Sequence, residues 1–284
     1  MESGYDVSLI FFDLKKAFDS VPHLPLLNKL KEIGVNQHIL QWITSYLYER
    51  KQNVVVDGAS SVPVPVLSGV PQGSVLGPLL FLTYINQVTA LNLSEGTRMA
   101  VYADDILLFK PITCTEDYAS LQSEIGSIHT SITTCHLTLN PSKCKHLIMS
   151  RKRQPLLPLT GLCLNGEVLE LVDRYRYLGV LVTSNFTWSD HIKQISTKAR
   201  RLVGMLYRQF SWADTKTILH IYITCIRPHL EYACQLWDPY TNKDAQLLED
   251  VQKFACKVCL KKWNLDYHSM LCLLGLPPLT ICRI

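Results

Sequence analysis

The sequence predicts an α+β fold in two parts, with strands and helices mixed up to about residue 185 and helices after it. Three observations carry this. Residues 7–12, VSLIFF, form a continuous apolar run of strand length, the pattern of a strand buried on both faces. Asp57-Gly58 and Asn165-Gly166 each separate short alternating or β-branched segments, which reads as hairpins. From Ser189 onward apolar residues recur at spacings of three and four, the period of amphipathic helices. The expected domains are therefore 1–185 and 186–284.

Along the chain, residues 24–48 read as two helices separated at Gly34, with Leu26, Leu27, Leu30, Ile33, Ile39, Leu40, Ile43 and Leu47 on one broad face. Residues 52–57 and 62–67 form the first predicted hairpin. Residues 78–93 read as a helix opened by Pro78 in its first turn. Residues 99–102 and 106–109 are short strands around Ala103-Asp104-Asp105. Leu121, Ile125, Ile128 and Ile132 mark a helix over 116–136. Strand-like segments follow at 137–139, 146–149, 162–164 and 167–171, and Tyr175 to Thr183 reads as one more strand. The second part predicts helices from Ser189 through Leu206 and over 214–226, 243–261 and 266–274.

Composition narrows the class. Hydrophobic residues make up 48% and charged residues 18% of the 284, too apolar for a disordered tail or acidic activator. Residues 1–182 carry 15 basic and 16 acidic side chains, whereas residues 183–284 carry 13 and 8, so a net of −1 is followed by +5. An acidic first part and a basic second part suit metal chemistry followed by polyanion binding. The apolar stretch Val75 to Ile85, broken by Gly77 and Pro78, is too short to span a bilayer, and no membrane partner is expected. Glu2, Asp6 and Asp13 stand where a secretory leader needs cations and a long apolar run. The ten cysteines, Cys282 included, form no framework. An intracellular protein of nucleus or cytoplasm, with buried thiols, is expected.

Asp13 ends the apolar strand, and Asp104 and Asp105 sit at a hairpin tip. Taken alone, Asp104-Asp105 is also what an ordinary turn would use. Acids at the ends of buried strands, however, must face a cleft or be neutralised. Divalent cations bound by oxygen ligands do this, and two of them about 3.5–4 Å apart can activate a hydroxyl and stabilise a leaving pyrophosphate.

Five segments now carry a resemblance. VSLIFFDLKKAFDSVPH, LSGVPQGSVLGPLLFLTYIN, VYADDILLF, HLTLNPSKCKHLIMS and YRYLGVLVT occur in this order and resemble the successive palm motifs of reverse transcriptases. The wording KAFDSVPH and SGVPQGSVLGPLLF is similar to non-LTR, LINE-type retrotransposons of the jockey and CR1 kind. The resemblance implies a right-hand polymerase: a palm with partial fingers over 1–185 and a helical thumb over 186–284. It implies RNA-directed DNA polymerase activity on an RNA template, a DNA primer and dNTPs, with two Mg²⁺ ions or Mn²⁺ in their place.

By the same resemblance, Asp13 and Asp104 would bind both metals and Asp105 would complete the site. Tyr102 would lie beside the primer end. The backbone amides of Leu14, Lys15, Lys16 and Ala17 would face the triphosphate. Phe18 would block a ribose 2′-hydroxyl, although by itself it is also a core aromatic. Gln72 and Gly73 would contact the nucleotide. Lys143 would assist pyrophosphate departure, with Lys145 a competitor. Tyr177, Leu178 and Gly179 match the primer-grip hairpin, whose tight turn would touch the primer backbone. Lys193, Arg200 and Arg201 on the basic helix would follow the phosphates of the hybrid. Asp19 reads as a local cap.

The spacing Cys256-x2-Cys259-x8-His268-x3-Cys272 is like a zinc knuckle, but the helical period through Cys256 favours core thiols, and no zinc is expected. Asp13 follows Met1 by only twelve residues, where the family has a long fingers segment, so an N-terminally truncated element is expected. The rivals to an active polymerase are a non-catalytic remnant that binds hybrid and a maturase-like RNA-binding protein.

Overall fold

The computed structural model describes residues 5–282, with side chains described through residue 280. Glu2 and the thiol of Cys282 lie outside these. The chain divides into two compact units, residues 1–173 and 174–284. The division falls ahead of residue 185 because the hairpin at 174–183 goes with the helices after it. With that boundary the charge split becomes −3 and +7.

In the first unit the order is β1 (Asp6–Phe12), α1 (Ala17–Ser20), α2 (His23–Glu32), α3 (Gln37–Leu47), β2 (Lys51–Gln52), β3 (Val55–Val56), β4 (Ala59–Ser60), β5 (Val64–Pro65) and α4 (Leu76–Ile85). It continues with β6 (Arg98–Tyr102), β7 (Asp105–Ile112), α5 (Glu116–Thr134), β8 (Lys145–Met149), β9 (Cys163–Leu164), β10 (Glu167–Val168) and β11 (Glu170–Leu171). The main sheet has the order β11-β8-β1-β7-β6. β1 is antiparallel to both β7 and β8, and only β11 joins in parallel. β1 has a partner along each edge, but its burial is uneven: Ile10, Phe11 and Phe12 are buried while Val7 and Leu9 are half-buried, so the cover on both faces that the sequence predicts does not hold over the whole run. Its polar Ser8 is satisfied by His146 Nε2 at 2.7 Å, and burial pushes the His146 pKa down to about 4, so the pair is neutral.

Ile10 and Phe12 of β1 join a core with Phe81 and Ile85 of α4 and Leu121, Ile125 and Ile128 of α5. The α+β class is as the sequence predicts. The helix expected over 78–93 is shorter: α4 ends at Ile85, and a tight 3₁₀ turn takes residues 86–90. The first hairpin is two nested pairs, β2–β5 and β3–β4. Of residues 137–139 only Leu139 makes a bridge, to Leu14.

The second unit contains β12 (Arg174–Tyr177), β13 (Val180–Thr183), α6 (Ser189–Gln209), α7 (Thr215–Ile221), α8 (Pro228–Glu231), α9 (Cys234–Trp237), α10 (Asn242–Leu260), α11 (Tyr267–Leu274) and α12 (Leu279–Cys282). Residues 175–183 are therefore a hairpin rather than one strand. The turn is Leu178-Gly179, with φ of 45° and 84°, the left-handed values a two-residue hairpin turn needs. The core gathers Ile192 and Val203 of α6, Tyr222, Trp237, and Leu248, Cys256 and Cys259 of α10. Asp214, Thr241 and Asp266 cap α7, α10 and α11 through their side chains, each satisfying an otherwise orphaned amide. Cys256 and Cys259 are core thiols, and burial pushes both up to about 12. Among the described residues no helix is long and apolar enough to cross a membrane.

Candidate active site

The carboxylates are placed by register. In the β1–β7 pair Phe12 stands opposite Ile106, so Asp13, one residue beyond β1, falls opposite Asp105 at the start of β7. Tyr102 and Asp105 pair across the β6–β7 hairpin, leaving Ala103 and Asp104 as its two-residue turn. Ala103 holds φ 53°, a left-handed value that this tight turn imposes on a residue with a Cβ. Three carboxylates thus meet at one end of the sheet. Burial, then the charges of Asp104 and Asp13, push the Asp105 pKa up. Such mutual repulsion is relieved by a cation. Among the described residues no group of three His, Cys, Asp or Glu side chains already stands as a metal cage. Acids that share a cation with substrate phosphates need not be drawn together beforehand.

The segment before β8 is threaded against Asp13. Asn140 N–H donates to the Asp13 carbonyl and Lys15 N–H to the Thr138 carbonyl, each at 2.8 Å, while Asp13 N–H meets Cys144 Sγ at 3.3 Å. This brings Lys143 Nζ to 3.8 Å from Asp13 Oδ2. Lys145 points elsewhere: its Nζ lies 2.7 Å from Glu170 Oε2 and donates to the Ser142 carbonyl. Of the two competing lysines, Lys143 is the one at the carboxylates. The same threading corrects one expectation, because the Lys15 amide is spent on Thr138 and cannot face a triphosphate. Leu14 and Ala17 are buried, and Lys16 turns the chain at φ 47°.

Phe18 is half-buried and stacks on Phe81 with centroids 4.5 Å apart, so it borders the core and follows the Asp13 turn at once. The loop before α4 rests on the same short helix. Val70 N–H donates to the Phe18 carbonyl at 2.8 Å and Gly69 N–H to the Val21 carbonyl at 2.7 Å. Gly69 has φ 95°, and a Cβ there would lie 2.8 Å from the Asp19 backbone, so only glycine permits this approach. Gln72 Nε2 donates to Asp19 Oδ1 at 2.9 Å. Sequence reasoning took Asp19 as a local cap and missed this tie. Gly73 follows in open space, and Tyr102 is 67% exposed beside the acids.

The remaining predicted residues belong to the second unit. The Leu178 carbonyl accepts from Tyr232 Oη at 3.0 Å, and the Tyr232 ring lies against Gly179, bracing the turn that follows Tyr177. Lys193 and Arg201 line one open groove with Gln194, Thr197, Lys198 and Leu202. Arg200 leaves that row, and its guanidinium sits 5.1 Å from the Phe254 ring centroid.

A mostly antiparallel sheet thus presents three acids at one end, with a lysine and a glutamine loop packed about the first strand's exit. The family model described as reverse transcriptase (RNA-dependent DNA polymerase) matches residues 2–182, and the chain belongs to that family. The RNA-directed DNA polymerase from mobile element jockey of Drosophila funebris is 29% identical over 279 residues, 94% of this chain and 30% of that relative. The probable RNA-directed DNA polymerase from transposon BS of Drosophila melanogaster is 29% identical over 258 residues, 87% of this chain and 28% of the relative. The retrovirus-related Pol polyprotein from type-1 retrotransposable element R2 of Popillia japonica is 23% identical over 283 residues, 94% and 44% respectively. The chain thus spans under a third of the length of the first two. Telomerase from Candida albicans, solved in complex with a telomeric RNA fragment, aligns at 13% identity and a TM-score of 0.44 over 94% of this chain and 46% of that one.

Proposed function

We propose that this chain carries the catalytic centre of an RNA-directed DNA polymerase of a non-LTR retrotransposon, adding dNTPs to a DNA primer on an RNA template. The carrying observation is the register that sets Asp13 opposite Asp105 with Asp104 in the adjoining turn. Residues 1–185 serve as palm and partial fingers and residues 186–284 as thumb, in a protein acting inside the cell.

The residues fit divalent cations: three carboxylates, one with its proton affinity raised by burial and then by the other two. Asp13 and Asp104 would hold two Mg²⁺ ions, with Asp105 completing the charge. When bound, such cations lower the pKa of the primer 3′-hydroxyl and neutralise charge on the departing pyrophosphate. The hydroxyl gives up its proton to solvent water and its oxygen attacks the dNTP α-phosphorus, forming the new phosphodiester as the bond to the bridging oxygen breaks and pyrophosphate leaves. Lys143, 3.8 Å from Asp13 Oδ2, supplies charge or a proton to the leaving pyrophosphate. Phe18, braced on Phe81, stands as the wall against a ribose 2′-hydroxyl. Gln72, held by Asp19, meets the nucleotide. Tyr102 and the Tyr177-Leu178-Gly179 turn contact the primer, and Lys193 and Arg201 the phosphates of the hybrid.

The test is Mg²⁺-dependent dTTP incorporation on poly(rA)/oligo(dT). The wild-type chain is expected to extend the primer and Asp104→Asn to fail. A well-folded wild-type chain without incorporation would sink the assignment.

A further inference from the structure

Between α6 and α10 the second unit carries a groove of about 370 Å³ whose lining joins cations to aromatic rings: Arg200, Lys253 and Lys257 with Phe254 and Trp263, against one carboxylate, Asp250. The pieces are in register with one another. The Arg200 guanidinium lies over Phe254 at 5.1 Å and Lys257 Nζ over Trp263 at 6.0 Å. Tyr207 meets the edge of Trp263 at 5.9 Å, and Phe254 tilts toward it at 6.3 Å. Trp263 is 48% and Tyr207 45% exposed.

Helical spacing explains the alignment. Arg200, Gly204 and Tyr207 fall at i, i+4 and i+7 on one face of α6. Gly204 lies well inside a 21-residue helix, where glycine costs about 1 kcal/mol against alanine. A Cβ there would touch nothing, so packing does not require the glycine, and the strip between Arg200 and Tyr207 stays open.

A cation over an exposed ring gains only about 0.5–1 kcal/mol, too little to justify two large rings left in water. The two chemistries have one common partner, a strand whose phosphates meet the cations and whose bases stack on the rings. A duplex has already spent its base faces on stacking. An acidic peptide would satisfy the cations and leave the rings bare. We propose that the α6–α10 groove is a stacking site for single-stranded nucleic acid, separate from the groove of Lys193 and Arg201. It rests on the polymerase reading only for where the strand arises, the unpaired part of the template.

The test is fluorescence anisotropy of labelled oligo(dT), oligo(rU) and a blunt RNA–DNA hybrid with the whole 284-residue chain, at low and at physiological salt. Trp263→Ala is expected to weaken single-strand binding about tenfold and to leave hybrid binding unchanged, while Trp263→Phe restores it. Lys257→Gln should flatten the dependence of log affinity on log salt by roughly 0.7, one phosphate's worth. Loss on both oligonucleotides assigns base stacking in general, and loss on oligo(rU) alone assigns RNA. Wild-type affinity in Trp263→Ala, equal loss on strand and hybrid, or no binding of either oligonucleotide by the wild-type chain overturns the proposal. Strand binding that depends on Trp263 in a chain without incorporation sinks the polymerase reading alone. Incorporation with no effect of Trp263→Ala on strand binding sinks the groove alone.

Discussion

The first unit holds its functional charges by strand register, whereas the second displays its charges by helical period. In the first, Asp13 and Asp105 are brought together by a ladder whose members are some ninety residues apart in sequence. A one-residue slip would send each acid to the opposite face. In the second, Lys193 and Arg201 sit two turns apart on one helix, and their placement needs no long-range partner. The net charges, −3 and +7, follow the same division. Chemistry at one phosphorus needs atoms fixed within a fraction of an ångström. Holding a polyanion needs only a surface of the right sign.

The contrast can be broken by substitution. In the first unit, Lys143→Ala is expected to slow single-turnover incorporation by about 10²-fold. Lys145→Ala should stay near wild type, because that ammonium is engaged by Glu170 and the Ser142 carbonyl. Equal losses would mean that proximity to Asp13 does not select the acting lysine. In the second unit, Lys193→Gln with Arg201→Gln should lower hybrid affinity and flatten its salt dependence by roughly 1.8, two phosphates' worth, with the rate at saturating hybrid unchanged. A fall in that rate would erase the distinction between the units.

The smallest effect concerns stability. The folded-state pKa of Asp105 is raised by burial and by its two neighbours, so ionised Asp105 opposes folding above its unfolded-state pKa. Asp105→Asn should therefore raise the melting temperature by about 2 °C at neutral pH. The gain should vanish near pH 3, where both states hold the proton. A lower melting temperature at neutral pH would mean that the acids do not repel one another.

How much was legible follows from the range of the interactions. Asp13, Asp104 and Asp105 could be read because an apolar strand ending in an acid and a hairpin tip with two acids are local patterns. Gln72 was singled out only by the family resemblance, and its bond to Asp19, which joins residues 53 apart through a close approach that only Gly69 allows, was not read at all. By local pattern residues 175–183 read as one strand, because Leu178 is no turn former, and only the family resemblance placed a tight turn there; Tyr232, just after α8, braces that turn. Arg200 was grouped with Arg201 by sequence, yet the packing of α10 on α6 sends it over Phe254. Lys15 looked like a phosphate amide until Thr138 claimed it. Each miss is a tertiary contact that no window of neighbouring residues contains.

The most direct test of the central claim is single-turnover dTTP incorporation at saturating poly(rA)/oligo(dT), comparing the wild-type chain with Asp104→Asn. Asparagine keeps the hairpin turn and removes one charge, so the variant should fold normally and bind hybrid with wild-type affinity. The predicted result is a rate lower by on the order of 10³-fold, the scale of several kcal/mol of transition-state stabilisation. A rate within about twofold of wild type would contradict the claim that the acids gathered at this end of the sheet carry the chemistry.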